Sequence, residues 1–399
     1  MKTASVTTRG VRIGVLGVNF GWGPHAALES TLREVRRMTG GHCRIVGFGS
    51  EYGRGILRDV VDEWCEFDGA DHRALTRIAE AKELDVALVA LEGFAARSFE
   101  EAGVRTVFLD LMPFLWRGDD LSVPPREVSY YLAMNLPGLK KETLSWMETV
   151  RNLRWIGAVV PLHSGEMSGG AETAFQKDRQ AIVTLGGILG MYMKNTSNYP
   201  KLVLPGVLDA LIDSGFEHIV IAGNVAEGVL DEIVEPYRSY AEFRIGALGR
   251  DEYLSRIAES SLCLTQPGLM SLLEASSCGT PLIRLPPQNV SGFEQAEIHK
   301  SGTGADTDVR WPSEVVDEKL ARSKAANREA PGNEYVYSAI AEGVARKAEI
   351  VRDSVRKQIT ELVPECRSLL SSTWRGLVNE VGTDGASEAA EFVVQAADD

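Results

Sequence analysis

The sequence is short of the features that would place it in several large classes of protein. Its five cysteines, at 43, 65, 263, 278 and 366, never fall in a Cys-x-x-Cys pair. Neither a zinc site nor a disulfide framework is indicated, and a reducing cytoplasm is the expected compartment. No stretch approaches the ~18 consecutive apolar residues of a membrane span, and residues 1–8 lack the apolar core of a signal peptide. Positive charge is scarce too. Forty-two basic against 56 acidic residues leave a net charge of −14 with no offsetting basic patch, which speaks against nucleic acid and anionic membranes as partners. No Asp-x-Asp pair closes an apolar strand, so no bound metal is expected.

What is present, 44% hydrophobic and 25% charged residues, suits a soluble globular protein. A length of 399 residues favours two cores over one. In the first half, strands are predicted at Val11–Val18, Cys43–Gly47, Val86–Leu91, Val104–Asp110 and Arg154–Val160. Helices are predicted over Leu28–Met38, through Ile56, Val60 and Trp64, and near Leu75–Ala81. From Ser122 to Lys141 the pattern loosens around Pro124–Pro125 and Asn135–Gly138. The second half repeats the alternation, with strands at Ala181–Leu185, His218–Ala222, Glu242–Gly246, up to Thr265 and from Pro281. Its helices centre on Val207–Leu211, Val225–Tyr237, Arg250–Ser260 and Leu269–Cys278. Alternation of this kind predicts α/β architecture, two doubly wound Rossmann-like domains with parallel sheets. The polar, Gly-rich His163–Gly170 reads as a linker and divides the chain into 1–165, 171–345 and 346–399. The last part reads as amphipathic helices and then a frayed acidic tail of about fifteen residues, ending at Asp399.

The stretch from Leu264 to Asn289, with Gln295 shortly after it, joins a strand, a Pro267–Gly268 turn, a helix and a second strand. A helix that opens straight after such a turn leaves its first N–H groups without intrahelical partners, a ready site for phosphate. Helical side chains lean toward the amino end, so Glu274 reaches back over the opening turn, where a carboxylate can accept two hydrogen bonds from a ribose diol. Phosphate beside a diol describes a nucleotide. The same residues also suit an ordinary amphipathic helix with a solvated glutamate. Two glycine loops follow strands elsewhere, Asn19–His25 and Gly186–Gly187, and both let backbone approach a ligand. The first is not Gly-x-Gly-x-x-Gly, a poor match to a dinucleotide fingerprint.

The run Pro267, Gly268, Ser271, Leu272, Glu274, Ala275, Gly279, Pro281, Pro286 and Gln295 resembles the nucleotide-sugar signature of GT-B glycosyltransferases. The likeness is to the lipid-II-forming N-acetylglucosaminyltransferase and to plant and bacterial UDP-glycosyltransferases. It implies two Rossmann-like domains facing a cleft, 1–165 for the acceptor and 171–345 for the nucleotide sugar, with C-terminal helices crossing back to the first. It gives the ribose hydroxyls to Glu274 and the donor sugar to Gln295. The diphosphate falls to Gly268, Leu269, Met270 and Ser271 with Thr184, Gly186 and Gly187, and the flank of the nucleobase to Leu248. The implied activity is transfer, with inversion, of a sugar from a UDP-sugar to a small acceptor, with no cofactor beyond that co-substrate. Its rivals are an epimerase or hydrolase of the same fold and a non-catalytic nucleotide-binding protein.

Three residues are candidates to take the acceptor's proton. His25 follows the first glycine loop, Asp110 ends its strand, and Glu92 stands just past another strand. In GT-B enzymes a histidine of the first loop serves as base in several members, although the Gly-Gly-x-Gly-Gly-His form is absent here. Gly21, Trp22, Gly23 and Phe114 are candidates to hold the acceptor; core packing accounts for the aromatic ones equally well. The Phe20-Gly-Trp-Gly23 segment resembles cytosylglucuronate synthases of nucleoside-antibiotic pathways, which implies UDP-glucuronate and cytosine. Arg284 or Arg250 would then meet the glucuronate carboxylate.

Overall fold

The computed structural model describes residues 10–67, 71–161, 179–187 and 195–398. The His163–Gly170 linker and the proposed boundaries at 165 and 171 lie outside the described residues.

Two parallel sheets organise the chain. The first contains β1 (Val11–Gly17), β2 (Cys43–Gly49), β3 (Glu63–Glu66), β4 (Val86–Ala90), β5 (Arg105–Asp110), β6 (Tyr130–Met134) and β7 (Leu153–Ile156), in the order β3-β2-β1-β4-β5-β6-β7. The second contains β8 (Gln180–Gly186), β9 (His218–Gly223), β10 (Glu242–Gly246), β11 (Leu262–Thr265) and β12 (Leu282–Arg284), in the order β10-β9-β8-β11-β12. Every neighbouring pair runs parallel. The central strands are apolar on both faces, as the fully buried Val86–Ala90 illustrates, because helices cover both sides of a parallel sheet. In each sheet the chain starts in the middle, winds outward and then crosses to the other side. The carboxyl ends of β1 and β4, and of β8 and β11, are the points where strand order reverses and where open α/β sheets bind ligands.

Each sheet has its own apolar core, and the helix that follows β11 belongs to both. Leu269, Met270 and Leu273 of the helix Leu269–Cys278 join the first core, while Leu272 and Ala275 join the second. A helix apolar on nearly all sides is one buried on all sides. It keys the two lobes together.

Three expectations are corrected. Ile56, Val60 and Trp64 do not share a helix. The helix Glu51–Leu57 stops, and Trp64 lies in β3 over Gly47, where a Cβ would come within 2.2 Å of the indole. Within the loosened Ser122–Lys141 segment runs β6, a five-residue strand too short for its period to stand out between two proline-rich turns. The C-terminal segment does not fray either. Gly385–Asp398 is a helix whose Ala386, Ala389, Ala390, Val393 and Ala396 are buried in the core of the first sheet, against the helix Gly23–Met38 and β5.

Candidate functional site

The site is built where β8 and β11 end side by side. The hydroxyls of Thr184 and Thr265 lie 2.7 Å apart and join the two strand ends. Beyond Thr265 the Gln266 side-chain amide donates to the Pro267 carbonyl at 3.0 Å and stiffens the turn. Gly268 is extended (φ −134°, ψ 124°) and no side chain caps the helix that follows. The first intrahelical bond to Gly268 comes from Leu272 N–H, 3.0 Å from the Gly268 carbonyl, so the amides of residues 269–271 stand ahead of it. β8 ends in Gly186, at φ +67°, a left-handed turn open to glycine at no steric cost.

One turn into the helix, Glu274 is 1% exposed. Its Oε1 lies 2.5 Å from Nη2 of Arg250, the first residue of the helix Arg250–Glu259. Nε of the same guanidinium faces Oε2 of Glu29 at 3.8 Å. Burial alone would push the Arg250 pKa down, but Glu274 and then Glu29 hold it above the usual value. Tyr253, one turn beyond Arg250, donates its hydroxyl to Ser271 Oγ at 2.9 Å. The helix Arg250–Glu259 thus grips the opening turn of its neighbour at two points, Arg250 to Glu274 and Tyr253 to Ser271, each pair spaced by three residues on its own helix.

The opposite wall comes from the first sheet. After β1 the chain turns at Gly21 (φ +68°) and enters the helix Gly23–Met38 with Pro24 in its first turn. This loop meets the one after β8 closely: a Cβ on Gly187 would lie 2.2 Å from the Tyr52 hydroxyl and 2.5 Å from Trp22 N. On the far side, Gln295 Nε2 reaches Met112 Sδ at 3.5 Å, and Arg117 forms a two-pronged ion pair with Glu294, both bonds 2.9 Å. Between these contacts lies a cavity of about 420 Å³ lined from both lobes. The size is that of a small-ligand site.

No protein-family model matches the chain, and no curated protein does. Solved structures do match along the whole length. UGT89C1 of Arabidopsis thaliana, solved with quercetin, shares 11% identity over 97% of this chain and 100% of its own, with a TM-score of 0.54. Os79 from O. sativa in complex with UDP shares 14% identity over 96% of this chain and 100% of its own, also at 0.54. A Listeria monocytogenes protein assigned as a UDP-N-acetylglucosamine 2-epimerase shares 12% identity over 97% and 95%, at 0.56. The fold is GT-B.

The GT-B cleft brings together most of the residues singled out in the sequence. Gly268, Leu269, Met270, Ser271, Glu274 and Gln295 border the cavity, as do Gly186, Gly187 and Leu248 from the same lobe. Gly21, Trp22 and Gly23 border it from the other. Thr184 does not; it is fully buried, with its hydroxyl joined to Thr265 and its carbonyl accepting from Gln266 N at 2.9 Å.

None of the three candidate bases borders the cavity. His25 is third in its helix, a position that turns the ring inward, where Gly17 and Gly53 leave room for it: a Cβ on Gly53 would lie 2.4 Å from Nε2. Burial pushes its pKa down to about 4, offset in part by the Gly21 backbone. The imidazole is neutral at neutral pH and props the loop from below. Asp110 is 0% exposed and accepts from Trp116 Nε1 at 2.7 Å, Tyr131 Oη at 2.6 Å and Met112 N at 3.2 Å. Burial raises its pKa to about 6 against the pull of those donors; it anchors the turn that carries Met112 and Arg117. Glu92 is the residue before the helix Gly93–Glu101. Phe114 packs on the core of the first lobe. Arg284 is 1% exposed, paired with Asp308, 2.6 Å from His299 Nδ1 and 2.8 Å from the Ala305 carbonyl. It ties β12 to the following loop and does not reach the cleft.

Sequence reasoning missed Glu29, Tyr52 and Tyr253, which all line the cavity. Tyr253 could have been found from its spacing to Arg250 on the helix leading into the motif. Glu29 meets the site only through the packing of two lobes.

Among the described residues no group of three or more His, Cys, Asp or Glu side chains could hold a metal ion, and no helix is long and apolar enough to cross a membrane.

Proposed function

We propose that the chain is an inverting glycosyltransferase that moves a sugar from a UDP-sugar to a small acceptor. One observation carries the reading: an uncapped helix start, with a buried acid one turn on, opens into a cavity lined by both lobes. The amides of 269–271 and the Gly186–Gly187 loop would receive the diphosphate, whose charge grows as the glycosidic bond breaks. Oriented amides in a site of restricted water stabilise that charge without reorganising. Glu274 would hold the ribose hydroxyls, Leu248 would flank the base and Gln295 would face the sugar. The solved complexes of similar proteins with UDP add support to the nucleotide.

Titration with UDP tests the assignment. Glu274→Ala is expected to weaken UDP binding by about 1–3 kcal/mol, the usual cost of losing a charged hydrogen-bond partner; unchanged affinity in a folded variant removes the ribose role. Helix amides rather than a divalent ion should neutralise the leaving group, so EDTA is expected to leave turnover intact.

The likeness to the Listeria protein favours one rival, a UDP-sugar epimerase. Acceptor dependence separates the two: an epimerase consumes its UDP-sugar without an acceptor, and a transferase releases UDP only with one. A narrower version, UDP-glucuronate with cytosine, is supported by Trp22 on the cavity wall. Of the two arginines considered for the glucuronate carboxylate, Arg284 lies outside the cleft and Arg250 is already paired to Glu274. That version requires UDP release from UDP-glucuronate on adding cytosine, and silence disposes of it.

A further inference from the structure

Arg250 occupies a position that helix energetics disfavours. It is the first residue of its helix, where the macrodipole is positive and a cation is destabilised. Its side chain is 11% exposed, and an arginine withdrawn from water needs compensating charge. That compensation comes from both lobes. Glu274, 2% exposed in its side chain, lies at 2.5 Å in the carboxyl-terminal lobe. Glu29, equally buried, lies at 3.8 Å on the helix Gly23–Met38 of the amino-terminal lobe. Glu29 is itself held by Arg33, one turn along the same helix. Arg33 in turn reaches Asp251 at 3.3 Å, back in the carboxyl-terminal lobe. The chain of alternating charge Asp251, Arg33, Glu29, Arg250, Glu274 therefore crosses between the lobes twice. Its outer link is exposed, 45% for Arg33 and 81% for Asp251, and such pairs contribute little. The links of Arg250 to Glu29 and Glu274 are withdrawn from water and set geometry.

We infer that Arg250 is a positioning residue for Glu274, anchored from the opposite lobe by Glu29, so that the ribose end of the nucleotide site is completed only when both lobes are in register. This rests on the reading of Glu274 as the acid that holds the ribose. Two features favour positioning over direct capture of a ligand anion. The charge of the guanidinium is already balanced by two buried carboxylates, so no ligand anion is needed to compensate it. And Tyr253, on the same face of the helix, fixes Ser271 of the opening turn at 2.9 Å, so both contacts of this helix act on the orientation of its neighbour. Lobe closure and nucleotide affinity are then coupled, each strengthening the other by the same factor.

The test uses the full chain and two ligands, UDP and 2′-deoxy-UDP, titrated by calorimetry into the wild type, Glu29→Gln and Arg250→Lys. Wild type is expected to prefer UDP by about tenfold, the equivalent of one charged hydrogen bond. In both variants UDP, with two hydroxyls held by Glu274, should weaken more than 2′-deoxy-UDP, which keeps only the 3′-hydroxyl, so that the preference shrinks. Lysine keeps the charge but cannot face two carboxylates with one planar group, and it serves as the readout should Glu29→Gln fail to fold. Equal weakening of both ligands would mean that the charges only brace the fold, and overturns the inference. Preference retained in a folded variant overturns it too. A wild type that binds both ligands alike removes the ribose reading itself, a different failure from the other two.

Discussion

His25 and Asp110 show what happens when a titratable side chain near a cleft turns away from it. Burial lowers the first to about 4 from an ordinary 6.5 and raises the second to about 6 from 3.8. For His25 the unfolded chain binds the proton more readily, so its contribution is whole above 6.5 and lost as pH falls toward 4. For Asp110 the folded chain binds it more readily, so its contribution is whole below 3.8 and lost as pH rises through 6. The slopes oppose each other over nearly the same window. Asp110→Asn should therefore expose the histidine slope, with stability falling on acidification. His25→Gln should expose the carboxyl slope, with stability rising on acidification, each by on the order of 3 kcal/mol. Urea denaturation at about pH 4 and pH 7 reads both, and variants with identical pH profiles would show that neither group is held as described.

At the scale of elements, what was legible in the sequence was what is local. The strand, turn and helix from Leu262 to Cys278 are contiguous, and their ends fall where Pro267, Gly268 and Gly279 mark them. Facing was less legible. Trp22 ends the loop before the helix and borders the cavity, whereas His25, inside the first turn, is buried beneath it. Glu29 carried no local signal of a site, since its neighbour Arg33 makes an ordinary i,i+4 pair and Arg250 is more than two hundred residues away. The helix Gly385–Asp398 was hidden by composition: its buried stripe is mostly alanine among acids, which reads like a solvated tail. The two glycine loops make a prediction at this scale. Gly187→Ala would drive a methyl group into the Tyr52 hydroxyl and Trp22 N, parting the loops. We expect kcat/KM for the UDP-sugar to fall by about tenfold to a hundredfold, the effect of a displacement of about 1 Å. Steady-state kinetics would show it, and an unchanged value would mean that the close approach is incidental.

Across the whole molecule, the two cores are joined by more than the cleft. The helix Leu269–Cys278 is shared, and the C-terminal helix crosses back to the first lobe, where Glu388 Oε2 accepts from Gly157 N at 2.8 Å and Gly385 packs against the Gly157 carbonyl. Removing residues 383–399 would delete five buried side chains, Ala386, Ala389, Ala390, Val393 and Ala396, and lay bare the face they cover, a loss of roughly 5 kcal/mol of apolar burial. That approaches the whole stability of an ordinary domain. The truncated chain is expected to melt early or aggregate in a thermal scan, and a melting curve like the full chain's would show the helix to be dispensable. The same crossing dictates an order of assembly. A ribosome delivers the first sheet early, yet the helix that roofs it emerges only after the entire second sheet has been made. The half that is translated first is thus the half that is finished last, and in the interval its uncovered side needs shelter from other nascent chains.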